Sequence, residues 1–347
     1  MKEKLPTSIK VVAENCVNHL QGIAVDSERR FIYCSFTTRL LKADMNGNVV
    51  GSVTGLAGHL GCIAYNYADG KVYGSLEYKR DSIGKGIMRG LGRDDELEDG
   101  FYVVRFDVEK IDRMDMDAEC DGVMEAMYLR EVVDDYSAEG HRLGCSGIDG
   151  ITIAPPMGED GECDRIYVAY GVYGDTSRDD NDHQVILCYP VSDLDTYAAP
   201  LDQHYMHKSG PAAPERKYFV YTGNTIYGVQ NLEYDPYTET ILAAVYPGKK
   251  DAFPNYSMYF IDRTVSPLTG ELRGVGGKGE MLSLTLPSGG AHDEICGSRF
   301  PDGSTGMASL GGGLYYFARA YRGEDGQYGV IKLYELDREE NGFKPIE

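Results

Sequence analysis

From residue 19 to residue 53, apolar and polar side chains alternate with the period of two that marks half-buried strands. Turn formers interrupt the alternation and divide it into four segments, 21–26, 30–36, 39–44 and 49–53. Met45-Asn46-Gly47-Asn48 reads as a hairpin turn, because Asn-Gly tolerates the positive φ that such turns demand. Four short antiparallel strands make one blade of a β-propeller. A lone blade cannot bury both of its faces, so it needs neighbours.

Weaker copies of the same rhythm follow. A second blade starts near His59, where HLGCIAYNYADGKVYGSLEY repeats HLQGIAVDSERRFIYCSF; its third strand is delayed to residue 101 and its fourth falls within 125–133. A third starts near Gly147 with GIDGITIAPP and continues from residues 165, 183 and 217. A fourth starts near Gly228, with its third strand from residue 255 and its fourth from residue 280. A fifth starts near Gly303 and finds no fourth strand after Asp337. The segment 8–12, Ser-Ile-Lys-Val-Val, supplies that strand and removes an exposed edge. Aligned first strands begin at Gly22, Cys62, Gly150, Asn231 and Gly306. The expected fold is all-β: a five-bladed β-propeller occupying residues 1–347 as one domain, closed by the N-terminal strand, with long loops on one face. A sixth blade would have to lie in 107–137, which is too short and too charged; a short helix there or in 80–98 fits better.

The wording of the first blade resembles NHL and gluconolactonase-like propellers. The resemblance rests on Gln21-Gly22-Ile23-Ala24-Val25-Asp26, on Ile32-Tyr33 and on Asp44-x-x-Gly47. It covers the first blade well and the second and fourth partly. It implies a fold and not an activity, since the acidic metal ligands of gluconolactonase-like enzymes have no clear matches here.

Composition narrows the partners. Of 347 residues 42% are hydrophobic, enough for a real core, and 43 glycines suit a chain with many tight turns. Trp is absent while Tyr reaches 27, and its hydroxyl can line polar clefts. A formal charge of -21 repels nucleic acid and anionic membrane as general partners. No apolar run reaches the length of a membrane span, and MKEKLPTSIKVVAENC lacks the apolar centre of a secretion signal. The eight cysteines form no CxxC pair, and Cys34, Cys62 and Cys188 lie inside apolar strands, so a reducing cytoplasm is the expected compartment. No GxGxxG links a strand to a helix and no P-loop or GxSxG is present, so no nucleotide or flavin cofactor is expected.

In a propeller the loops before first strands and those between second and third strands share one face around the axis. The insertions 79–100, 174–182, 247–254 and 322–327 are all of the second kind, which points to that face as functional. Each second strand also runs out into cations: Arg39, Lys79 with Arg80, Arg178, Lys249 with Lys250, and Arg322, with Arg319 just inside. Arg39, Arg80, Lys249, Arg319 and Arg322, with Gln230, are the candidate substrate-binding residues for a small anionic molecule or sugar. Pairing of these cations with Asp175, Asp179, Asp251 and Glu324 is the competing account.

Of seven histidines, His19, His59, His141 and His292 precede first strands, so all four fall on the same face near the axis. They are the candidate ligands of a divalent metal, with Gln230, Asp293 or Glu294 completing it, or else general bases. His19, His59, Tyr170 and Tyr227 are the candidate catalytic residues, a Tyr or a His moving the proton. The expected function is a lyase or hydrolase acting on a small anionic carbohydrate at the channel mouth. A lactonase is its nearest variant, and a non-enzymatic propeller that binds protein or glycan is the alternative.

Overall fold

A computed structural model describes residues 5–289, 294–324 and 326–347. Five separate sheets lie around one axis, each in contact with the next through its innermost strand, and the fifth with the first. The chain is a five-bladed β-propeller. Blade 1 is Gly22–Val25, Phe31–Ser35, Leu40–Asp44 and Val49–Thr54, with Met116–Asp117 added in parallel at its edge. Blade 2 is His59–Asn66, Lys71–Tyr78, Gly100–Phe106 and Met124–Tyr128. Blade 3 is Cys145–Ala154, Arg165–Val172, His183–Pro190 and Arg216–Tyr221. Blade 4 is Ile226–Asp235, Thr240–Tyr246, Met258–Asp262 and Leu284–Thr285. Blade 5 is Met307–Gly311, Leu314–Arg322 and Gly326–Asp337, completed by the N-terminal strand Ser8–Glu14, which pairs antiparallel from Ser8 opposite Lys332 to Glu14 opposite Gly326.

Local chemistry explains the turns. The Asp26 carboxylate accepts the Phe31 N–H, Asn66 accepts Ala68 N–H, and Asp235 accepts from Tyr237 N–H and Thr238 N–H. A short acidic or amide side chain at the end of each of these first strands caps the turn that follows. Packing explains the ring. The buried apolar side chains form five clusters, and each joins two neighbouring blades. The cluster between blades 5 and 1 holds Ile9, Val11 and Ala13 of the closing strand.

Two details differ from the sequence reading. The segment 280–286 does not act as one fourth strand of blade 4. Leu284–Thr285 pairs there, while Lys278–Met281 runs parallel to Arg216–Tyr221 and extends blade 3 together with Leu268–Glu271. Blade 5 does have a strand after Asp337: Gly342–Pro345 pairs with residues 334–337, beyond the reach of the N-terminal strand on the same edge. Short helices form at Ser82–Gly90 and Arg130–Ser137, and a third at Ser192–Tyr197. Among the described residues no helix is long and apolar enough to cross a membrane.

The channel is plugged at mid-height. Asn231 of blade 4 reaches across the axis and donates to Gln21 O at 2.9 Å and Ser304 O at 3.1 Å. Cys62 Sγ of blade 2 lies 3.4 Å from Ile151 O and 3.8 Å from Leu232 O. Two mouths therefore remain, a top one where first strands begin and a bottom one where they end.

If the N-terminal strand closes the ring, its buried positions carry stability and its exposed ones do not. Val11→Ala is expected to cost about 2 kcal/mol, and Ser8→Ala less than about 0.5 kcal/mol, in urea unfolding. Equal costs at the two positions would argue against closure.

Candidate functional site

The top mouth gathers charged groups from blades 2 and 3. His59 opens the first strand of blade 2 and stands opposite Glu77 in the ladder with the second. Asp149 lies in the first strand of blade 3, within the register shift between Ile148 and Ile151. Shifts at the same level occur after Leu60 in blade 2 and between Ile226 and Asn231 in blade 4. Such bulges re-aim side chains, here toward the axis.

His59 Nδ1 lies 3.4 Å from Glu77 Oε1 and 3.4 Å from Asp149 Oδ1, and these are ion contacts, since the nitrogen has no aligned hydrogen-bond partner. Lys79 Nζ is in direct contact with Glu77 Oε1 and donates to Ser146 O at 2.9 Å. The second Glu77 oxygen accepts the Ile148 N–H at 2.9 Å. Gly147 makes room for this carboxylate: a Cβ there would fall 1.9 Å from Glu77 Oε2, and its φ of +124° is one that side chains resist. Gln230 Nε2 lies 3.4 Å from Asp149 Oδ2 and donates to Tyr227 O at 3.0 Å. The His59, Glu77, Lys79 and Asp149 side chains are only 2–15% exposed.

Burial and charge set their protonation. Burial lifts the Asp149 carboxyl to about 7, against the pull of His59. Burial alone would lower His59, but the Glu77 and Asp149 carboxylates outweigh it and hold the imidazole above its ordinary value. Burial would raise Glu77, yet Lys79 and His59 keep it below the usual carboxylate range. Burial and the charge of His59 push His19 down. An imidazole and a carboxyl, both held above their ordinary values and 3.4 Å apart, thus form a pair suited to general acid–base work.

Two cavities open at this mouth, of which the first is lined by the cluster. One, of about 270 Å³, runs from His59, Glu77 and Lys79 to the helix Ser82–Gly90 and is walled by Arg80, Lys85 and Arg89. Among the described residues none of these three cations makes an ion pair. The other, of about 480 Å³, holds His19, Tyr246, Arg319, Arg322 and Gln327. The Tyr227 and Tyr246 rings meet edge to face at 6.2 Å between the two sides of the mouth.

The residues singled out from the sequence fall as follows. His19 and His59 are within electrostatic reach of each other, and Gln230 joins the cluster through Asp149. His292 and Asp293 lie outside the described residues. His141 stands apart: its Nδ1 is 2.6 Å from Tyr136 O, and its ring leans on Tyr136 and Tyr173. Tyr170 also stands apart. Its position in the strand turns it toward the helix Arg130–Ser137, where its hydroxyl donates to Asp135 beside Lys217. Glu294 pairs with Arg273 on the outside. Arg39 donates to Glu14 O, Arg80 to Leu97 O, and Arg319 pairs with Asp302, while Lys249 and Arg322 are exposed. Arg178 pairs with Asp180, and Lys250 with Asp182, so carboxylates other than those expected neutralise part of the rim. Glu77 and Asp149 were missed. The available signal was a lone acid in each of two otherwise apolar strands, KVYGSLEY and GIDGITIA.

His59, Glu77 and Asp149 form the metal-competent set among the described residues, with ligand atoms within 4.8 Å of one another. Bonds of ~2.1 Å in a tetrahedral arrangement place ligand atoms ~3.4 Å apart, so the donor spacing fits a divalent cation. The unpartnered His59 Nδ1 fits it as well, whereas Lys79 holds one of the carboxylate oxygens.

No family model matches the chain, and no curated protein matches it by sequence. Solved propellers do superpose. The Dos1 propeller is 9% identical with a TM-score of 0.35, over 86% of this chain, which spans 52% of its length. The calcium structure of a Trichoderma reesei carbohydrate-active enzyme of family AA12 is 10% identical with a TM-score of 0.43, over 93% of this chain and 82% of that one. A gluconolactonase from Xanthomonas campestris is 9% identical with a TM-score of 0.35, over 92% and 88%. At these values the likeness carries no argument about activity, and the five-bladed ring rests on its own strand pairing.

Two outcomes are expected of this site. An Asp149 carboxyl raised from 3.8 to about 7 contributes stability that is present below pH 4 and lost as the pH rises toward 7. Asp149→Asn should therefore gain melting temperature relative to the parent at pH 8 and not at pH 4; parallel pH curves would show an unperturbed carboxyl. Gly147→Ala should lose roughly 2 kcal/mol through strain and displacement of Glu77, and a variant as stable as the parent would show that the carboxylate is free to move.

Proposed function

We propose that the protein is an enzyme that moves a proton on a small, hydroxyl-bearing acid, as a hydrolase or lyase, at the top mouth of the channel. One observation carries this reading: His59, Glu77, Lys79 and Asp149 are sequestered together at the wall of a cavity, with Asp149 poised near neutrality. Asp149 and His59 act as acid and base. The Glu77–Lys79 pair orients His59 and balances charge. Arg80, Lys85 and Arg89 supply cations for a carboxylate or phosphate, in a chain whose net charge is otherwise strongly negative. Gln230, Tyr227 and Tyr246 present an amide and two aromatic edges to hydroxyls and ring carbons of a sugar-like body. A lactone is the neutral member of the same substrate class, with Asp149 or His59 activating water.

A divalent cation would be held by His59, Glu77 and Asp149, with Lys79 displaced from Glu77; bound there, it would polarise a carboxylate or carbonyl. A reducing cytoplasm remains the proposed compartment, from the buried thiols of Cys34, Cys62 and Cys188.

One observation favours the non-enzymatic reading. Lys79 and Glu77 of blade 2 hydrogen-bond Ser146 O and Ile148 N of blade 3, so the cluster also pins two blades together. Sugar lactones, whose hydrolysis releases protons, and uronates, whose elimination products absorb in the ultraviolet, separate the readings. Turnover of one of them is expected, with kcat/KM lowered at least about 10²-fold in His59→Asn and Asp149→Asn at unchanged folding. No turnover across both classes, with or without added Zn²⁺, Mn²⁺ or Ca²⁺, together with a loss of stability in Glu77→Gln and Lys79→Met, would leave the cluster as a structural pin.

A further inference from the structure

The bottom mouth of the channel is a third cavity, of about 320 Å³, to which all five blades contribute. The plug of Asn231 and Cys62 separates it from the cluster at the top. Its floor carries one carboxylate, Glu233. One Glu233 oxygen accepts the Ser309 N–H at 2.7 Å, and among the described residues no cation pairs with it. The Arg29 guanidinium also lines the cavity, where it donates to Leu310 O and makes no ion pair with Glu233, while Arg30 pairs with Glu28 at 2.8 Å and lies 3.7 Å from Asp26. Asp235 accepts from the Ser309, Thr238 and Tyr315 hydroxyls, and Asp26 accepts the Phe31 N–H and lies 3.7 Å from Arg30, so among the described residues neither stands free beside Glu233. Ala24, Val25, Ile153, Tyr65, Tyr67 and Tyr234 form the apolar and aromatic part of the wall, with Asp26, Arg29 and Asn66 beside them. Tyr65 and Tyr67 meet edge to face at 5.2 Å, and Tyr67 is 62% exposed at the rim.

We propose that this mouth is a second ligand site, for a small organic cation with an apolar body. The reasoning is complementarity. A carboxylate without a paired cation, at the base of a cavity lined by three tyrosines, attracts an ammonium group, which aromatic rings also favour. An anion would meet Glu233 and Asp26. A neutral apolar ligand would gain nothing from the carboxylate. Burial lifts Glu233 to about 8, so an incoming cation supplies the countercharge that the protein withholds. The groups facing it are Asp26 and Arg29 of blade 1, Tyr65 and Tyr67 of blade 2, Cys163 of blade 3, and Tyr234 and Asp235 of blade 4; blade 5 presents the uncharged Ser309.

Choline, whose charge is permanent, and its neutral isostere 3,3-dimethylbutan-1-ol test the site by titration calorimetry on the full chain. Choline should bind once per chain, and its affinity should rise about tenfold per pH unit from pH 6 toward pH 8, then level off as Glu233 becomes fully ionised. Glu233→Gln should weaken it at least tenfold and remove the pH dependence. Tyr67→Ala, a change at an exposed side chain that the fold does not need, should weaken it several-fold. His59→Asn should leave it unchanged, which separates this site from the one at the top. The proposal is overturned by the absence of saturable choline binding, by equal affinity for the neutral alcohol, or by unchanged binding in both Glu233→Gln and Tyr67→Ala. Should Glu233→Gln fail to fold, the isostere comparison and Tyr67→Ala still decide.

Discussion

A blade has two apolar faces and no means of covering either. That constraint governs the architecture. Each of the five buried clusters is shared by two blades, so no blade holds a complete core. The ring must close, and the closing strand must be apolar on one side and polar on the other, as Ser8–Glu14 is, with Ile9, Val11 and Ala13 buried between exposed Ser8, Lys10 and Glu14. With the blades committed to one another, growth is confined to loops and edges. The helix Ser82–Gly90 is one result: it hangs from the end of the second strand of blade 2, capped by Asp81, and walls the top cavity.

The axis is where the packing rule is relaxed. Inner strands crowd together there, and the ladder irregularities in blades 2, 3 and 4 turn polar side chains inward. Four ionisable groups held at one mouth are costly to desolvate, and opposite charges at contact distance offset only part of that cost. Removing Lys79 would leave Glu77 without its main countercharge. The cluster is therefore coupled: His59, Glu77, Lys79 and Asp149 set one another's protonation, and Gly147 gives up a side chain so that Glu77 can sit among them. At the other mouth Glu233 has no such company, and its proton is the cheapest countercharge within reach.

Much of this was legible along the chain. The blade rhythm, the closing strand and the grouping of long loops follow from alternation and turn chemistry, which act over a few residues. The alignment of first strands at Gly22, Cys62, Gly150, Asn231 and Gly306 also held the axis within it: the residues just before them are Gln21, Gly61, Asp149, Gln230 and Thr305. Asp149 and Gln230 stand at that level side by side. Glu77 was harder to see, because a lone acid ending an apolar strand reads as a strand terminus until the strand opposite is known to begin with His59. Tyr170 and His141 are equivalent to their neighbours in sequence, yet Tyr170 donates to Asp135, and the turn before blade 3 holds His141 against Tyr136 and Tyr173.

The sequence by itself determined the class of fold, the number of repeating units and the edge that needed closing, because each depends on periodicity and on turn residues that act locally. Only the tertiary structure decided which charges meet. The contacts between His59 and Asp149, Lys79 and Ser146, and Asn231 and Gln21 join residues of different blades, far apart in the chain, and are made by bulged strands converging on an axis. Local alternation says which side chains turn inward. It does not say what they find there, since that depends on the ring closing with five blades and on the depth at which each strand enters it.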